Sequence, residues 1–200
     1  AEKEVILSSG ERLTADLLVL AVGTRTNVAP VKESGVEINR GILVDDNLQT
    51  SLPGIYAAGD VAETRDLVTG EVGLTPIWPN AVIQGRYAAY NMAGIKKRYA
   101  GLVGLQNAVE FREVPAIAMG LSKVTEDEGY EILKVENPRQ QLYQKLVLKN
   151  NRLQGMILVG DIRRAGVLGA LIRTQRDVSA FKDKLPAPGF SYADILVRSA

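Results

Sequence analysis

The stretch that decides the fold is SLPGIYAAGDVAE, residues 51–63. A short apolar run follows a Pro-Gly turn, stops at Gly59, and is followed at once by the acid Asp60. A carboxylate at this point either caps a helix or closes a strand-end turn, as Gly-Asp pairs commonly do, or it reaches toward a ligand. The sequence on either side of Asp60 is needed to distinguish between these roles.

The composition indicates an ordinary globular protein of one large or two small domains. The chain has 200 residues, of which 46% are hydrophobic and 24% charged, and its net charge is +1. Lysine and arginine are spread along the chain, which predicts no nucleic-acid partner and no anionic membrane surface. The longest apolar run, LLVLAVG at 17–23, is too short to span a membrane and fits one buried strand.

The chain has no cysteine and no histidine. This excludes disulfides, thiolate nucleophiles, iron–sulfur ligation and ordinary zinc sites within these residues, so we expect no metal site. We assign no catalytic residue either, and we expect any difficult chemistry to belong to a cofactor. The lack of cysteine is consistent with a cytoplasmic location. The chain opens with AEKEVILSS, without an initiator methionine or signal peptide, and we expect it to begin inside a larger protein.

The first hundred residues contain several strand patterns. Two extended runs flank a polar turn at 9–11, which predicts a hairpin, and the second run continues to Gly23 as a buried strand. Two more short strands are predicted around the Pro53-Gly54 turn, and residues 64–79 are predicted to be irregular. These patterns are typical of pieces of an α/β nucleotide-binding domain that lacks some of its helices.

One helix is predicted in this half, over residues 80–94. Asn80 follows Pro79 as a suitable N-cap, and Gly94 is a natural residue to end the helix. Gly85 in the interior costs about 1 kcal/mol relative to alanine, which indicates close backbone approach to another group.

The second half has the pattern of a small α+β domain. After a linker at 96–107, two alternating runs are joined by Asn150-Asn151, which predicts a type I′ hairpin. Helices are predicted near 163–175, at 178–184 and close to the C-terminus. No catalytic constellation is evident here, and the charged cluster of Asp161, Arg163 and Arg164 fits a solvated helix start. The apolar residues of the first helix form either core or a dimer seam: Val167, Leu168, Leu171 and Ile172.

Three segments together carry a family resemblance: AVGTRTN at 21–27, LQTSLPGIYAAGD at 48–60 and TPIWPNAVIQGRYAAYNMAG at 75–94. In this order they resemble the FAD-dependent pyridine nucleotide-disulfide oxidoreductases, especially ferredoxin and rubredoxin reductases, NADH oxidases and the flavin portion of nitrite reductases. The segment YQKLVLKNNRLQGMILVGD resembles the C-terminal domain of the same branches. The first segment departs from the family pattern, because Thr26 stands where a proline is usual.

The resemblance implies a fold class and a division of the chain. The fold is a partial α/β, Rossmann-like FAD/NAD(P)-binding domain followed by a small α+β C-terminal dimerisation domain. Residues 1–30 resemble the end of the NAD(P)H-binding domain, 31–104 the C-terminal part of the FAD-binding domain, and 105–200 the dimerisation domain. FAD and NAD(P)H are the cofactors implied for the full-length protein. Neither GxGxxG fingerprint of the family has a match in these residues.

The resemblance also implies cofactor-binding residues. Gly59 lets the backbone approach the flavin because it has no Cβ, and Asp60 accepts a hydrogen bond from a ribityl hydroxyl. Trp78, Asn80 and Ala81 lie beside the isoalloxazine ring at the start of the helix, although a lone tryptophan also commonly packs in a core. Gly23 borders the nicotinamide path or is a plain strand-to-loop glycine.

The function implied is hydride transfer from NAD(P)H to FAD and electron transfer onward to an acceptor protein or small molecule. Disulfide reductases of the superfamily use a histidine in the C-terminal domain, and its absence favours direct electron transfer from the flavin. A homodimer is implied, and the isolated chain is expected to have little or no activity. The alternative is a non-catalytic dimerisation or interaction module.

Overall fold

The computed structural model describes residues 3–196 and contains three separate sheets and three α-helices. The strands of the first two sheets are β1 (Lys3–Ile6), β2 (Arg12–Ala15), β3 (Ile42–Leu43), β4 (Ala62–Arg65) and β5 (Val72–Leu74). The strands of the third are β6 (Gln106–Phe111), β7 (Val114–Gly120), β8 (Glu131–Asn137), β9 (Leu142–Lys149) and β10 (Arg152–Val159). The helices are α1 (Trp78–Met92), α2 (Ala165–Thr174) and α3 (Tyr192–Leu196). None of these helices is long and apolar enough to cross a membrane, as far as residues 3–196 are concerned.

The predicted N-terminal hairpin is present, but the buried strand predicted after it is wrong. β1 and β2 pair antiparallel and form a two-stranded sheet of their own. Residues 17–23 form no strand, and Leu20 and Val22 are 77% and 90% exposed. A buried strand needs neighbours on both sides and cover on both faces, and residues 3–196 provide neither for this run.

A small mixed sheet replaces much of the predicted irregular region. β4 pairs parallel with β3 and antiparallel with β5, so the second half of β4 and all of β5 lie within residues 64–79, which were predicted to be irregular. Sequence patterning missed β4 because its buried residues Glu63 and Thr64 are polar and are held by hydrogen bonds. Of the two strands predicted over residues 41–60, the first is present as β3 at Ile42–Leu43, whereas the residues around the Pro53-Gly54 turn form a single bridge between Gln49 and Tyr56.

Helix α1 begins two residues earlier than predicted. Its N-cap is Ile77 and Pro79 lies in the first turn, so Asn80 is inside the helix and is not the N-cap. Proline favours this early start because its missing N–H would have no intrahelical partner in the first turn. The helix ends at Met92 with Ala93 as its C-cap, and Gly94 follows as the predicted C′ residue with a φ of +79°.

The buried stripe of α1 is mostly polar. Asn80, Gln84 and Ala88 recur every four residues and are the buried residues of the helix. Gly85 lies on the exposed side, and a Cβ added there would meet no atom within 4 Å, so the predicted close approach is absent from residues 3–196.

The third sheet is antiparallel, with strand order β6-β7-β10-β9-β8. β9 and β10 form the predicted hairpin, with Asn150 and Asn151 at φ values of +51° and +56°. The apolar residues of α2 pack on this sheet, so they belong to the core and not to an exposed seam. The largest core of the chain lies between the helix and the sheet and includes Leu146, Leu148, Met156, Leu158, Leu168 and Ile172.

The C-terminal tail differs from the prediction in two ways. The predicted helix over 178–184 is only a 3₁₀ turn, Lys182–Lys184, because Phe181 leaves the helical region with a φ of −140°. Arg164 is buried and donates to the carbonyl oxygens of Leu185 and Ala187 at 3.1 and 2.7 Å. The prediction of a solvated Arg164 is therefore wrong, whereas Arg163 is exposed and pairs with its neighbour Asp161.

The Asn150-Asn151 turn provides a test of the hairpin. Replacing Asn150 by alanine should lower the free energy of unfolding by about 1 kcal/mol, because the left-handed conformation is unfavourable for a residue with an ordinary Cβ. Asn150→Gly is the matched control and should leave the stability unchanged or slightly higher. Urea unfolding followed by circular dichroism measures both. Equal denaturation midpoints for the two variants would show that the backbone conformation at this turn does not limit stability.

Candidate functional site

The candidate site is built around the 3₁₀ turn Gly59–Val61. The extended residue Ala58 leads into it, and Gly59 adopts a φ of +82°, a conformation that favours glycine. A Cβ at Gly59 would lie 3.4 Å from the Cβ of Ala81, in the first turn of α1. The turn therefore packs directly against the start of the helix, and two of the predicted site residues are in contact range.

A buried glutamine joins this turn to the helix. The backbone N–H of Gly59 donates to Oε1 of Gln84 at 2.7 Å. The Nε2 of Gln84 donates to the Thr64 hydroxyl at 3.1 Å and to the Tyr99 hydroxyl at 3.3 Å. Sequence analysis did not identify Gln84, although its position four residues after Asn80 places it on the same helix face.

Asp60 points toward a cleft of about 360 Å³. The cleft is lined by Thr24, Arg25, Thr26, Asn27, Arg40, Asp60, Val61, Leu74 and Pro76. Parts of all three segments that carry the family resemblance therefore meet here. Asp60 lies inside its turn and Ala58 holds the N-cap position, so the structure offers no support for helix capping by Asp60.

Arg40 lines the cleft, and the residues on either side of it are held by the buried carboxylate of Glu63, which the sequence did not point to. The buried carboxylate of Glu63 accepts the N–H of Gly41 at 2.6 Å and the side-chain amide of Asn39 at 3.3 Å. A Cβ on Gly41 would collide with the carbonyl oxygen of Val61, so only glycine fits there. The segment that carries Arg40 is thereby fixed against the turn that carries Asp60.

The start of α1 presents one exposed and one buried site residue. Trp78 is 82% exposed, so packing in a core is excluded as its role within residues 3–196. Asn80 is fully buried, and neither the nitrogen nor the oxygen of its amide has a hydrogen-bond partner among the described residues. An unsatisfied buried polar group costs roughly 1–3 kcal/mol, so this amide favours a ligand or water beside it.

Gly23 lies next to the cleft but not in its lining. It has a φ of +90°, and a Cβ added there would meet nothing within 4 Å. The following residue, Thr24, begins the cleft-lining segment. Within residues 3–196 no group of His, Cys, Asp and Glu side chains is arranged to hold a metal ion.

A pair of glycine variants separates backbone strain from contact with α1. Gly59 and Gly70 both have positive φ, but only Gly59 has a neighbour within 4 Å of an added Cβ. Gly59→Ala and Gly70→Ala should each lower the free energy of unfolding by about 1–2 kcal/mol, because the conformational penalty is the same and a 3.4 Å contact adds little. Thermal unfolding measures the two. A loss at Gly59 several times that at Gly70 would mean that the turn cannot yield toward Ala81.

Ionisation of Tyr99 should lower the free energy of unfolding as the pH rises above 10. Burial raises the pKa of the Tyr99 hydroxyl above its ordinary value of 10.0, and the hydrogen bond with Gln84 partly opposes this rise. Since the folded-state pKa is raised, this contribution to stability is complete below pH 10 and is lost as the pH rises through the folded-state pKa. Ultraviolet absorbance titrations of the wild type and of Tyr99→Phe measure this, because their difference isolates the ionisation of Tyr99. The Tyr99 hydroxyl should ionise at a higher pH than an exposed tyrosine does. Ionisation of Tyr99 at or below pH 10 would contradict its burial.

Comparison with known proteins assigns the chain to a family. Residues 1–85 match the pyridine nucleotide-disulphide oxidoreductase family, and residues 111–176 match the rubredoxin NAD+ reductase C-terminal domain. The chain is 36% identical to a Bacillus subtilis nitrite reductase [NAD(P)H], over 85% of this chain and 20% of that protein. It is 35% identical to the epsilon subunit of an NADH-dependent phenylglyoxylate dehydrogenase from Aromatoleum evansii, over 94% of this chain and 44% of that subunit.

A solved structure gives the same result for the fold. The crystal structure of an FAD-dependent pyridine nucleotide-disulphide oxidoreductase from Desulfovibrio vulgaris superposes with a TM-score of 0.75 at 30% identity. The superposition covers 90% of this chain and 47% of that one, so the chain spans less than half the length of these relatives. The predicted fold class, a partial Rossmann-like α/β part followed by an α+β domain, is confirmed. The chain belongs to the pyridine nucleotide-disulphide oxidoreductase family and corresponds to part of a longer family member.

Proposed function

We propose that this chain is the C-terminal portion of an FAD-dependent NAD(P)H oxidoreductase and contributes one side of its flavin site. The observation that supports the proposal is that Asp60, residues 24–27 and Pro76, two residues before α1, line one cleft, while Ala81 in the first turn of α1 packs against Gly59. These are the segments that resemble the family, and they lie far apart in the sequence. Their convergence supports a shared ligand.

The chemistry of the site fits a flavin. Asp60 offers an exposed carboxylate, and a hydrogen bond to a charged group is roughly twice as strong as a neutral one. Asn80 has an unused amide donor and an unused acceptor, which suit a ring edge that carries both kinds of group. The N-terminus of α1 adds partial positive charge. Bound FAD supplies hydride acceptance from NAD(P)H and electron transfer onward, while these residues hold and orient it.

The isolated chain should not be an efficient catalyst. Its 200 residues contain neither of the glycine-rich fingerprints that bind a dinucleotide pyrophosphate. Residues 17–23 form an exposed apolar run in place of a buried strand, so the first half presents surface that a complete domain would cover. We therefore expect little or no NADH oxidation by residues 1–200 alone.

The electron acceptor is proposed to be a protein or a small molecule that reaches the flavin from the surface. Trp78 supports this route, because it is exposed at the start of the helix that borders the proposed site. The match of residues 111–176 to a rubredoxin reductase domain is consistent with a protein acceptor. A cytoplasmic location is part of this proposal.

A second candidate function is assembly through the C-terminal domain. A groove of about 490 Å³ lies between β7, β9 and the end of β6, and Phe111 beside it is 72% exposed. Apolar surface of this kind favours a homodimer, or an interaction module that holds no cofactor. The two candidates differ in one observable property, which is whether flavin binds near Asp60.

Asp60 provides the direct test of the flavin site. Asp60→Ala should weaken FAD affinity by about tenfold or more, since a hydrogen bond to a charged group contributes about 1.5–3 kcal/mol. Asp60→Asn should have a smaller effect, because the amide keeps an acceptor but loses the charge. Titration of FAD fluorescence and absorbance with the flavin-free full-length protein measures the dissociation constants.

Asp127→Ala is the matched control, since this acid is exposed in the C-terminal half, far along the chain from the cleft. It should bind FAD as the wild type does. Equal affinities for wild type and Asp60→Ala, or no FAD binding by the wild type at all, would contradict a flavin site at this cleft and favour the interaction module.

A further inference from the structure

Gln84 is the point at which four segments of the first half meet. Its side chain is fully buried, and both ends of its amide are engaged. Oε1 accepts the N–H of Gly59, and Nε2 lies within 3.5 Å of hydroxyls on Thr64, Thr75 and Tyr99. One side chain on α1 therefore contacts the Asp60 turn, β4, the segment before α1 and the segment after it.

The hydrogen bond from the Gly59 N–H to Gln84 affects the direction in which the next residue, Asp60, leaves the turn. The N–H of Gly59 belongs to the peptide unit that enters the turn, and no side chain caps the turn at Ala58. The orientation of this peptide and the positive φ of Gly59 together set the direction in which the next residue, Asp60, leaves the turn. A group that fixes the Gly59 N–H therefore also fixes the Asp60 carboxylate relative to the cleft.

A glutamine is an unusual choice if the position only has to fill space. The next buried position on the same face is the small apolar Ala88, and an apolar side chain of similar volume at 84 would need no partners. Buried polar networks require every member to be satisfied, and when satisfied they specify one arrangement. The three hydrogen bonds of Gln84 within 3.3 Å meet this requirement and give the turn one defined position.

We propose that Gln84 is a positioning residue for flavin binding: it holds the Gly59–Val61 turn so that Asp60 enters the cleft in the orientation that a ribityl hydroxyl requires. This inference rests on the flavin site proposed above. Thr64 and Tyr99 act through Gln84, because they hold its amide in the orientation that directs Oε1 at Gly59. None of the three touches the ligand.

Two substitutions at Gln84 separate its hydrogen bond from its volume. Gln84→Met keeps a similar size and removes both polar ends. Gln84→Glu keeps an acceptor for the Gly59 N–H, and the hydroxyls of Thr64 and Tyr99 can rotate to donate to it. The matched control is Gln154→Met, which removes another buried glutamine, one bonded to Gln175 in the C-terminal half.

The first measurement needs no flavin. Amide hydrogen exchange of Gly59, followed by NMR in the 1–200 chain, should be about 10- to 100-fold faster in Gln84→Met. Exchange should stay within about threefold of wild type in Gln84→Glu and in Gln154→Met. Unchanged exchange in Gln84→Met, or an equal increase in Gln84→Glu, would overturn the proposal.

The second measurement is the FAD affinity of the same variants, made in the flavin-free full-length protein and measured by fluorescence titration. We expect a loss of about tenfold or more in Gln84→Met, recovery in Gln84→Glu and no change in Gln154→Met. Faster Gly59 exchange with unchanged FAD affinity would overturn the positioning role. If the wild type binds no FAD, the flavin proposal fails, whereas the Gly59 exchange still decides whether Gln84 fixes the turn.

A milder pair covers the case in which Gln84→Met does not fold. Thr64→Val and Tyr99→Phe each remove one hydroxyl that holds the Gln84 amide and leave Gln84 itself in place. Each should accelerate Gly59 exchange by about three- to tenfold and weaken FAD binding in parallel. No change in either property for both variants would overturn the proposal.

Discussion

The hydrogen bond from the Gly59 N–H to Gln84 joins the two elements on which the candidate site depends, the Asp60 turn and helix α1. Around it the first half of the chain is held together largely by buried polar groups. Glu63 fixes Gly41, and Thr64 holds Gln84, while the neighbouring apolar clusters are small. Hydrogen bonds are directional and apolar contacts are not. The buried polar groups therefore define the orientation of these segments, although they stabilise the fold less than a large apolar core would. Such an arrangement can orient the side chains of a binding site, but it is less effective at stabilising a domain by itself.

The C-terminal half is held together mainly by an apolar core, and residues of the first half pack against that core. Its core between α2 and the five-stranded sheet is large, continuous and apolar, and Leu67 and Val68 of the preceding half pack against it. Asp66 accepts the N–H of Gly104 at 2.7 Å and ties the β4–β5 hairpin to the start of the C-terminal half. Thr64 lies two residues before Asp66 on the same chain segment. The stable core therefore anchors one end of the network that orients the Gly59 turn.

The sequence predicted those features whose causes are local. Asn150-Asn151 predicts its hairpin because tolerance of positive φ is a property of those two residues, and Gly94 ends α1 for the same reason. The strand predicted over residues 17–23 failed because an apolar run forms a buried strand only when partner strands flank it. Patterning also missed β4, since burial of Glu63 depends on a hydrogen bond to Gly41, 22 residues away. Motif resemblance pointed to Asp60 but not to Gln84, whose hydrogen bonds form only when four segments of the chain meet.

The unused hydrogen-bonding groups at the site bear on the choice between a flavin and an apolar partner. Asn80 is fully buried with both ends of its amide free among the described residues, and it lies next to Ala81, which faces Gly59. Asp60, the residue after Gly59, adds an exposed carboxylate that lines the cleft. Protein interiors rarely leave buried polar groups unpaired, and an apolar partner would satisfy neither residue. The flavin proposed above carries donors and acceptors along its edge, and for this reason we prefer it to an apolar docking partner at this end of α1.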